Sequence, residues 1–171
     1  RDNGGTANSG ADDTITKTFT VAVTAVNDVV TLTSAIADYT VLEDAAASTT
    51  DLDNIFGDID ILNGAPSALQ TLSYSVVSNT NSSLATTSIN AGTGVLTVSY
   101  TSDDNGSATI TVQANDSNGS TLNESFTVAV TAVNDVVTLT SSIANYTVLE
   151  DAAASTTDLD TKFGDIDILN G

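Results

Sequence analysis

Paired aspartates separated by a single residue occur twice in the chain, inside the same nine-residue sequence FGDIDILNG. One copy spans residues 56–64 and the other spans residues 163–171. Neighbouring carboxylates can bind a divalent cation through their oxygens, and in a suitable cleft a pair of carboxyl groups can cleave a glycosidic bond. Either chemistry would depend on four side chains: Asp58, Asp60, Asp165 and Asp167.

The charge balance of the chain favours cation binding. The 171 residues include 22 acidic side chains and three basic ones, Arg1, Lys17 and Lys162, which gives a net charge of −19. No Lys, Arg or His lies between Thr18 and Thr161, so the carboxylates there must be solvated, protonated or bound to a cation from solution. A solvated acidic surface accounts for about half of them. Nucleic acid is excluded as a partner, because no basic surface is available to contact phosphate.

The residue types that are missing narrow the chemistry further. The chain has no Cys and no His, which excludes disulfides, a thiol nucleophile, a Ser-His-Asp triad and an ordinary zinc site. The remaining metal ligands are oxygens, which suit calcium or magnesium. No apolar run approaches the roughly 18 residues that a membrane-spanning helix needs, so no membrane insertion is expected in this segment.

Most of the sequence around FGDIDILNG is also repeated. Residues 16–64 and 123–171 differ at only seven of 49 positions, and the two copies are offset by 107 residues. This period is too long for a solenoid repeat and is typical of a complete β-sandwich domain. The sequence therefore predicts a stretch of a tandem array, with the end of one module at 1–27, a complete module at 28–134 and the beginning of a third at 135–171.

Comparison of the two copies shows which charged residues are retained. The aspartates of FGDID, both acidic residues of VLED and the aspartate of VND are the same in each copy. Lys17 is replaced by Glu124, and Ile55 is replaced by Lys162. No lysine keeps its position, which argues against a lysine crosslink or a catalytic lysine.

Alternating apolar and polar residues predict strands and no helix. Besides the segments with a clear period of two, a divided first strand (VTLT and DYTVLED) and a second strand (STTDLDNIF) are predicted. Together they give about seven strands per module. Turns are predicted at 90–94 and 103–106, where Gly, Asn and Asp are concentrated. The expected fold class is all-β, with tandem seven-stranded Greek-key β-sandwich modules. The period of two is clearest at residues 18–24, 71–77, 95–101, 108–114 and 125–131.

The Asp-Ile-Asp sequence is expected to follow the same alternation. The carboxylates of Asp58 and Asp60 would then lie on one side of the chain, with Ile59 directed toward the core. An EF-hand loop is excluded, because Leu62 stands where such a loop needs a further oxygen ligand.

The order of the short motifs resembles a known tandem repeat. VND, LED, FGDID, a Leu-x-Tyr strand, ANDSNG and SFTVAVTAVND follow one another as in the bacterial cadherin-like repeat of large surface adhesins, which is close to the dystroglycan-type cadherin domain. The resemblance extends over residues 28–134 and both flanking segments, and it implies a cadherin- or immunoglobulin-like sandwich. One departure is that no proline follows VND, which implies a less rigid linker.

This resemblance also implies Ca²⁺ sites at the junctions between consecutive modules. Each site would combine a linker motif, a DxD pair and an acidic residue of a late loop with a glutamate from the preceding module. Asp103 and Asp104 match a further acidic pair of the family only loosely. For the first junction the matching residues are Asn27, Asp28, Asp58, Asp60 and Asp116. For the second junction they are Glu43, Asn134, Asp135, Asp165 and Asp167.

From the resemblance we expect a structural role, as calcium-stiffened extender repeats of a secreted or cell-surface bacterial adhesin. Such an array would hold a distal binding region away from the cell and support adhesion or biofilm formation. The expected partners are neighbouring repeats of the same chain, and beyond them other cell-surface proteins or polysaccharide. The expected location is extracellular, at the bacterial cell surface.

Two other interpretations remain open. A carbohydrate- or ice-binding module is one, since Thr109, Thr111 and Gln113 are predicted to form an outward row, although Thr is common on solvated strand faces. A self-assembling extracellular filament is the other, since the last strand of 1–27 and the first strands of 135–171 could pair between chains. An enzyme is not expected, because the paired carboxylates lie in turns and linkers with no group nearby to bind or polarise a substrate.

Overall fold

Strands dominate the structure, and the helices are single turns. The computed structural model describes residues 16–24, 26–62 and 70–169 of the chain. None of the helices in these ranges is long and apolar enough to cross a membrane. The helical turns are a 3₁₀ helix (Leu52–Asn54), α1 (Ile59–Leu62) and α2 (Ile166–Leu169). The strands are β1 (Thr31–Leu32), β2 (Tyr39–Leu42), β3 (Ser48–Asp51), β4 (Phe56–Gly57), β5 (Ser73–Asn79), β6 (Ala85–Asn90), β7 (Val95–Tyr100), β8 (Gly106–Asn115), β9 (Thr121–Thr131), β10 (Thr138–Leu139) and β11 (Phe163–Gly164).

Seven of these strands form a sandwich of two sheets. One sheet has four strands in the order β2-β9-β8-β5, and the other has three in the order β3-β7-β6. All neighbours in the two sheets are antiparallel except β2 and β9, which run parallel. The chain crosses between the sheets after β2, β3, β5 and β7, as in a Greek-key sandwich. The predicted all-β sandwich is confirmed.

The core lies between the two sheets and follows from strand alternation. On β8 from Ala108 onward and on β9 from Phe126 onward, every second side chain is buried, and the residues between them face outward. Full burial of a side chain such as Phe126 stabilises the fold by about 1.5–3 kcal/mol. The core side chains of the four-stranded sheet are Ala108, Ile110, Val112, Ala114, Phe126, Val128 and Val130, and those facing them include Leu52, Leu84, Ala85, Leu96 and Val98.

Two short antiparallel ribbons occupy equivalent positions of the repeated sequence. In the first ribbon β1 pairs with β4, with Thr31 opposite Gly57, and in the second β10 pairs with β11, with Thr138 opposite Gly164. A helical turn follows each ribbon, α1 after β4 and α2 after β11. The two copies therefore fold alike at this point. The division into modules remains a prediction, and residues 1–15 of the first predicted module lie outside the described residues.

The strand predicted at 18–24 does not form in the described residues. Phe19 is 87% exposed and Val23 is 89% exposed, whereas the repeat copy at 125–131 lies inside β9. Because β9 is flanked by β8 and β2, its backbone groups have hydrogen-bond partners on both sides. Among the described residues no strand pairs with 18–24, and an amphipathic segment does not form a strand without a neighbour.

The prediction for the Asp-Ile-Asp sequence is wrong in the direction of its side chains. Asp58 is 1% exposed, while Ile59 is 56% exposed. Ile59 begins α1, and the Asp58 carboxylate accepts a hydrogen bond from the backbone N–H of Asp60 at 2.9 Å. A side chain in this position caps the helical turn, which turns the aspartate rather than the isoleucine inward.

Candidate metal centre

The parallel pairing of β2 and β9 positions Glu43 at the second junction. Leu42 lies opposite Thr131, and the backbone N–H of Glu43 continues the ladder by donating to the Thr131 carbonyl at 2.9 Å. Both strands run toward the same end of the sandwich, so Glu43 meets the chain where it leaves β9. There one Glu43 carboxylate oxygen accepts a hydrogen bond from the backbone N–H of Val133, and the side chain is buried.

The second ribbon brings the DxD pair of the following repeat to the same place. The pairing of β10 with β11 puts α2 beside the linker, and the backbone N–H of Asp135 donates to Asp167 Oδ2 at 2.8 Å. Asp165 accepts a hydrogen bond from the backbone N–H of Asp167 at 3.0 Å, which fixes the turn. The first ribbon makes the same bond, from the N–H of Asp28 to Asp60 Oδ2 at 2.9 Å.

Three carboxylates converge at the second junction. Glu43, Asp135 and Asp167 each place one carboxylate oxygen within 4.8 Å of the other two. Calcium binds oxygens at 2.3–2.6 Å, so two ligands of one ion lie up to about 5 Å apart. The spacing of these oxygens therefore suits a single calcium ion, with backbone or water oxygens completing its coordination.

A second group of carboxylates shares Asp135. Asp44, Asp103 and Asp135 also place one oxygen each within 4.8 Å of one another. Asp44 and Asp103 have positive φ angles of 62° and 55°, a conformation that aspartate tolerates better than most residues. Asp151, the repeat copy of Asp44, has a φ of 65°. Asp135 thus lies between two carboxylate groups, and either could hold a cation with it.

The electrostatics of Asp135 reflect this crowding. Because like charges nearby disfavour ionisation, the neighbouring groups favour its protonated form. Burial raises the pKa of Asp135, and four carboxylates add to the effect: Asp103, Asp167, Glu43 and Asp44. A bound cation would reverse the preference by favouring the ionised form.

The first junction is organised around Asn27 and Asp116. The Asn27 side-chain amide donates to Asp116 Oδ2 at 3.0 Å. Asp116 is fully buried, and its Oδ1 accepts from the backbone N–H groups of Asn118 at 3.0 Å and Ser120 at 2.8 Å. Burial alone would raise the pKa of Asp116, but the hydrogen bonds from Asn27, Ser120, Asn118 and Gly119 outweigh it, so this pKa is lowered.

One oxygen of Asp58 gives the clearest indication of a cation at the first junction. Asp58 is almost fully buried, and its Oδ1 caps α1, but its Oδ2 has no hydrogen-bond partner. A buried carboxylate oxygen without a donor is strongly unfavourable, unless a positive charge is close to it. The residues at this end of the sandwich therefore fit calcium, which the resemblance implies for the same position.

The structure brings together only part of each predicted set. At the second junction Asp165 orients the turn, and the Asn134 amide donates to the Asp135 carbonyl at 2.7 Å, while Glu43 and two aspartates form the cluster. At the first junction hydrogen bonds join the five predicted residues in two separate sets, Asn27 with Asp116, and Asp28 with Asp60 and Asp58.

Asp44 and Asp103 lie in the second group of carboxylates although neither belongs to the predicted set of ligands. Asp44 follows Glu43 directly and is retained as Asp151 in the second copy, so its retention could have indicated a role. Asp103 lies on a turn 59 residues from Asp44, and its backbone N–H approaches Asp44 Oδ1 at 3.4 Å. Only the fold shows that this turn and the turn after β2 lie at the same end of the sandwich.

Comparisons with known proteins leave the family open. No family model matches the chain, and no curated protein matches it. Among solved structures, a chain of the crystal structure of the titin domains z1z2 in complex with telethonin is similar, with a TM-score of 0.38 and 16% sequence identity. The match covers 68% of this chain and 55% of that chain, so this chain spans about half the length of its match. A similarity at this level adds nothing to the fold described above.

Proposed function

We propose that the chain is a stretch of calcium-stiffened spacer modules of a secreted or cell-surface bacterial adhesin, of the cadherin-like type that its motifs resemble. The observation that carries the proposal is the convergence of Glu43, Asp135 and Asp167 within 4.8 Å. These residues come from the end of the sandwich, from the linker and from the DxD pair of the next repeat. One ion held by all three would therefore tie consecutive repeats together.

Calcium would supply the positive charge that this junction lacks. With the ion bound, Glu43 and Asp167 would hold Asp135 between them, and the linker would lose its rotational freedom. Without the ion, repulsion among the carboxylates and the conformational entropy of the linker favour a flexible chain. Each module would add about 30–45 Å to such a rod, from strands of seven to ten residues and a linker.

The outer face of the four-stranded sheet supports a spacer rather than a ligand-binding module. Its polar side chains bond to each other across β8 and β9, which uses the groups that a sugar would need. Cross-strand pairs of this kind stabilise a sheet directly. The pairs are Thr109 with Thr127 at 3.4 Å, Thr111 with Ser125 at 2.8 Å, and Gln113 with Asn123 at 2.9 Å.

The proposal is tested by calcium titration of the 171-residue chain, combined with small-angle scattering in calcium and in chelator. Calcium should bind, and it should increase the maximum dimension of the particle by stiffening the second junction. In Glu43→Gln the side chain keeps its shape and an oxygen that can accept the Val133 hydrogen bond, but it loses its charge. We expect this variant to bind calcium about tenfold more weakly at that junction and to show a reduced change in dimension.

The repeat provides a matched control. Glu150 occupies the same position as Glu43 in the second copy of VLED, but it is exposed. Glu150→Gln removes the same charge and should leave calcium affinity and particle dimension at the wild-type values. Equal behaviour of the two variants, or scattering that does not respond to calcium, would contradict the proposal.

A further inference from the structure

A chain of hydrogen bonds fixes the orientation of the Gln70 amide. Asn27 Nδ2 donates to Asp116 Oδ2 at 3.0 Å, so Asn27 must present its Oδ1 on the other side. That oxygen accepts from Asn118 Nδ2 at 3.0 Å and from Gln70 Nε2. An amide flip at Gln70 would place two oxygens against each other, so its Oε1 is held away from Asn27.

The Gln70 oxygen has no hydrogen-bond partner, and the same is true of one oxygen of Asp58. Gln70 Oε1 and Asp58 Oδ2 are both buried side-chain acceptors without a partner among the described residues. Two unpaired acceptors close to the acidic first junction are unfavourable unless a donor or a cation reaches them. Gln70 belongs to none of the motifs that suggested the junction residues.

Asp58 and Gln70 line the same cavity, which has a volume of about 270 Å³. Apolar side chains, among them Phe56 and Leu72, also line the cavity, and so does Tyr74. The Tyr74 hydroxyl is already used, because it donates to Asp53 Oδ1 at 2.7 Å. Since a water molecule occupies about 30 Å³ in the liquid, the cavity has room for a cation together with several waters.

We propose that this cavity holds a calcium ion bound by Asp58 Oδ2 and Gln70 Oε1, with water among the remaining ligands. The proposal rests on the proposed function, because it adds Gln70 to the residues that bind calcium at the first junction. An amide oxygen is a normal calcium ligand, and it contributes to coordination without adding to the negative charge. Asp53 lines the same cavity and adds a carboxylate to the negative field around the ion.

Terbium is a suitable probe, because it replaces calcium at oxygen sites and emits light when a nearby tyrosine transfers excitation to it. Tyr74 lines the cavity, and its ring packs on Phe56 with centroids 5.9 Å apart. Titration of the calcium-free 171-residue chain with terbium should give tyrosine-sensitised emission that calcium reverses. In Tyr74→Phe most of this emission should be lost, whereas Tyr146→Phe, a change at an exposed tyrosine, should preserve it.

Gln70→Met tests the proposed ligand directly. Methionine is similar in length to glutamine but lacks its amide oxygen, and we expect terbium affinity at the first junction to fall about tenfold. Gln113→Met is the matched control, because the Gln113 amide donates to Asn123 on the outer sheet face. This variant should bind terbium with the wild-type affinity. Far-ultraviolet circular dichroism of each variant checks that the sandwich has formed.

Three results would overturn the proposal: no sensitised emission from the wild-type chain, undiminished emission from Tyr74→Phe, or wild-type affinity in folded Gln70→Met. These outcomes are separable from failure of the proposed function. If Glu43→Gln loses calcium at the second junction while the Gln70 and Tyr74 variants behave as wild type, the spacer function stands and the cavity site is wrong. If calcium binds at neither junction, both are wrong.

Discussion

At the scale of single residues, Asp28 and Asp135 show how one motif position can have two electrostatic environments. Each follows the asparagine of VND, and each donates its backbone N–H to the second aspartate of a DxD pair. Asp28 is exposed, whereas Asp135 is partly buried among other carboxylates, and its pKa is raised. The difference arises because Glu43 and its neighbours supply the end of a preceding sandwich beside Asp135.

The raised pKa predicts a specific pH dependence in chelator. A carboxyl group with a raised pKa binds its proton more tightly in the folded state. Its contribution to stability is therefore complete below the ordinary aspartate pKa of about 3.9, and it is lost as pH rises through the raised value. Asparagine at position 135 carries no charge at any pH, so Asp135→Asn should not lose stability as the pH rises. The variant should therefore melt at a higher temperature than wild type at neutral pH. The difference in melting temperature should shrink toward pH 4. Thermal unfolding from pH 4 to pH 8 measures it.

Wild type and variant must be compared at each pH, because Asp116 changes the stability of the fold with pH in the opposite direction to Asp135. The lowered pKa of Asp116 gives stability that is present above the ordinary aspartate value and lost as pH falls below it. That contribution is the same in both proteins and cancels in the difference. Parallel melting curves for wild type and Asp135→Asn at every pH would show that the crowding of Asp135 has no effect on stability.

Gly94 gives a second prediction at this scale. Its φ is +65°, and an added Cβ would lie 2.9 Å from Asp53 Oδ1 and 3.1 Å from a ring carbon of Tyr74. Gly94→Ala should lower the free energy of unfolding by about 1–3 kcal/mol, through left-handed strain and this close contact. Gly92 lies in the same turn, and an added Cβ there would meet only Asn90 Oδ1 at 3.4 Å.

Denaturant unfolding of the two glycine variants checks this prediction. Gly92→Ala should change the free energy of unfolding by less than about 0.5 kcal/mol, as for most surface substitutions. If both variants lose the same stability, neither the backbone conformation nor the contact of Gly94 is the cause.

At the scale of elements, a segment with alternating apolar and polar residues forms a strand where a neighbouring strand pairs with it. Residues 95–101 and 108–114 correspond closely to β7 and β8, and the turn at 90–94 connects β6 to β7. Alternation in the sequence indicates that a segment has an apolar face, but not whether a partner strand is present. For this reason a strand was predicted at 18–24 that the structure does not contain. The helical turn α1 has four residues, too few for a period of 3.6 to be visible.

Phe19 and Phe126 occupy equivalent positions of the repeat, and they provide a prediction about the element they belong to. Phe126 is 1% exposed in β9, while Phe19 is 87% exposed. Phe126→Ala should lower the free energy of unfolding by about 3–5 kcal/mol because it leaves a cavity in the core. Phe19→Ala should have an effect below about 0.5 kcal/mol.

Denaturant unfolding of the 171-residue chain measures both phenylalanine variants. A loss of more than about 1 kcal/mol in Phe19→Ala would mean that residues 18–24 pack against the sandwich, contrary to the exposure described here. A small effect of Phe126→Ala would place the core elsewhere.

At the scale of the whole molecule, the sequence indicated which motifs would meet but not all of the residues that meet there. VND, VLED and the DxD pairs could be selected because they are retained between copies and have no basic partner nearby. Asp103 and Gln70 could not, and neither could the meeting of Asp44 with Asp103, because these depend on which turns share an end of the sandwich. Burial of Asp58 and exposure of Ile59 were also not predictable, since they depend on a cap formed by one side chain.

The net charge of −19 predicts how ions act on the chain as a whole. Extracellular calcium modules bind calcium at about 10⁻⁴–10⁻³ M, so 10 mM calcium should raise the free energy of unfolding by about 1–3 kcal/mol per coupled site. Sodium chloride at the same ionic strength only screens the exposed carboxylates and should give a smaller gain. Thermal unfolding in the two salts distinguishes specific binding from screening, and equal gains would contradict calcium binding at the junctions.

The parallel pairing of β2 with β9 has a mechanical consequence. These are the first and last strands of the sandwich, and they pair over four positions, from Tyr39 opposite Val128 to Leu42 opposite Thr131. Tension along the chain would pull β2 and β9 in opposite directions along their common axis. The hydrogen bonds between them would then be loaded together in shear, rather than broken one after another as when a hairpin is peeled open. A module stretched in this way would yield only when the whole strand pair slides, so its resistance to force would come from the sandwich itself and not from the ions at its ends.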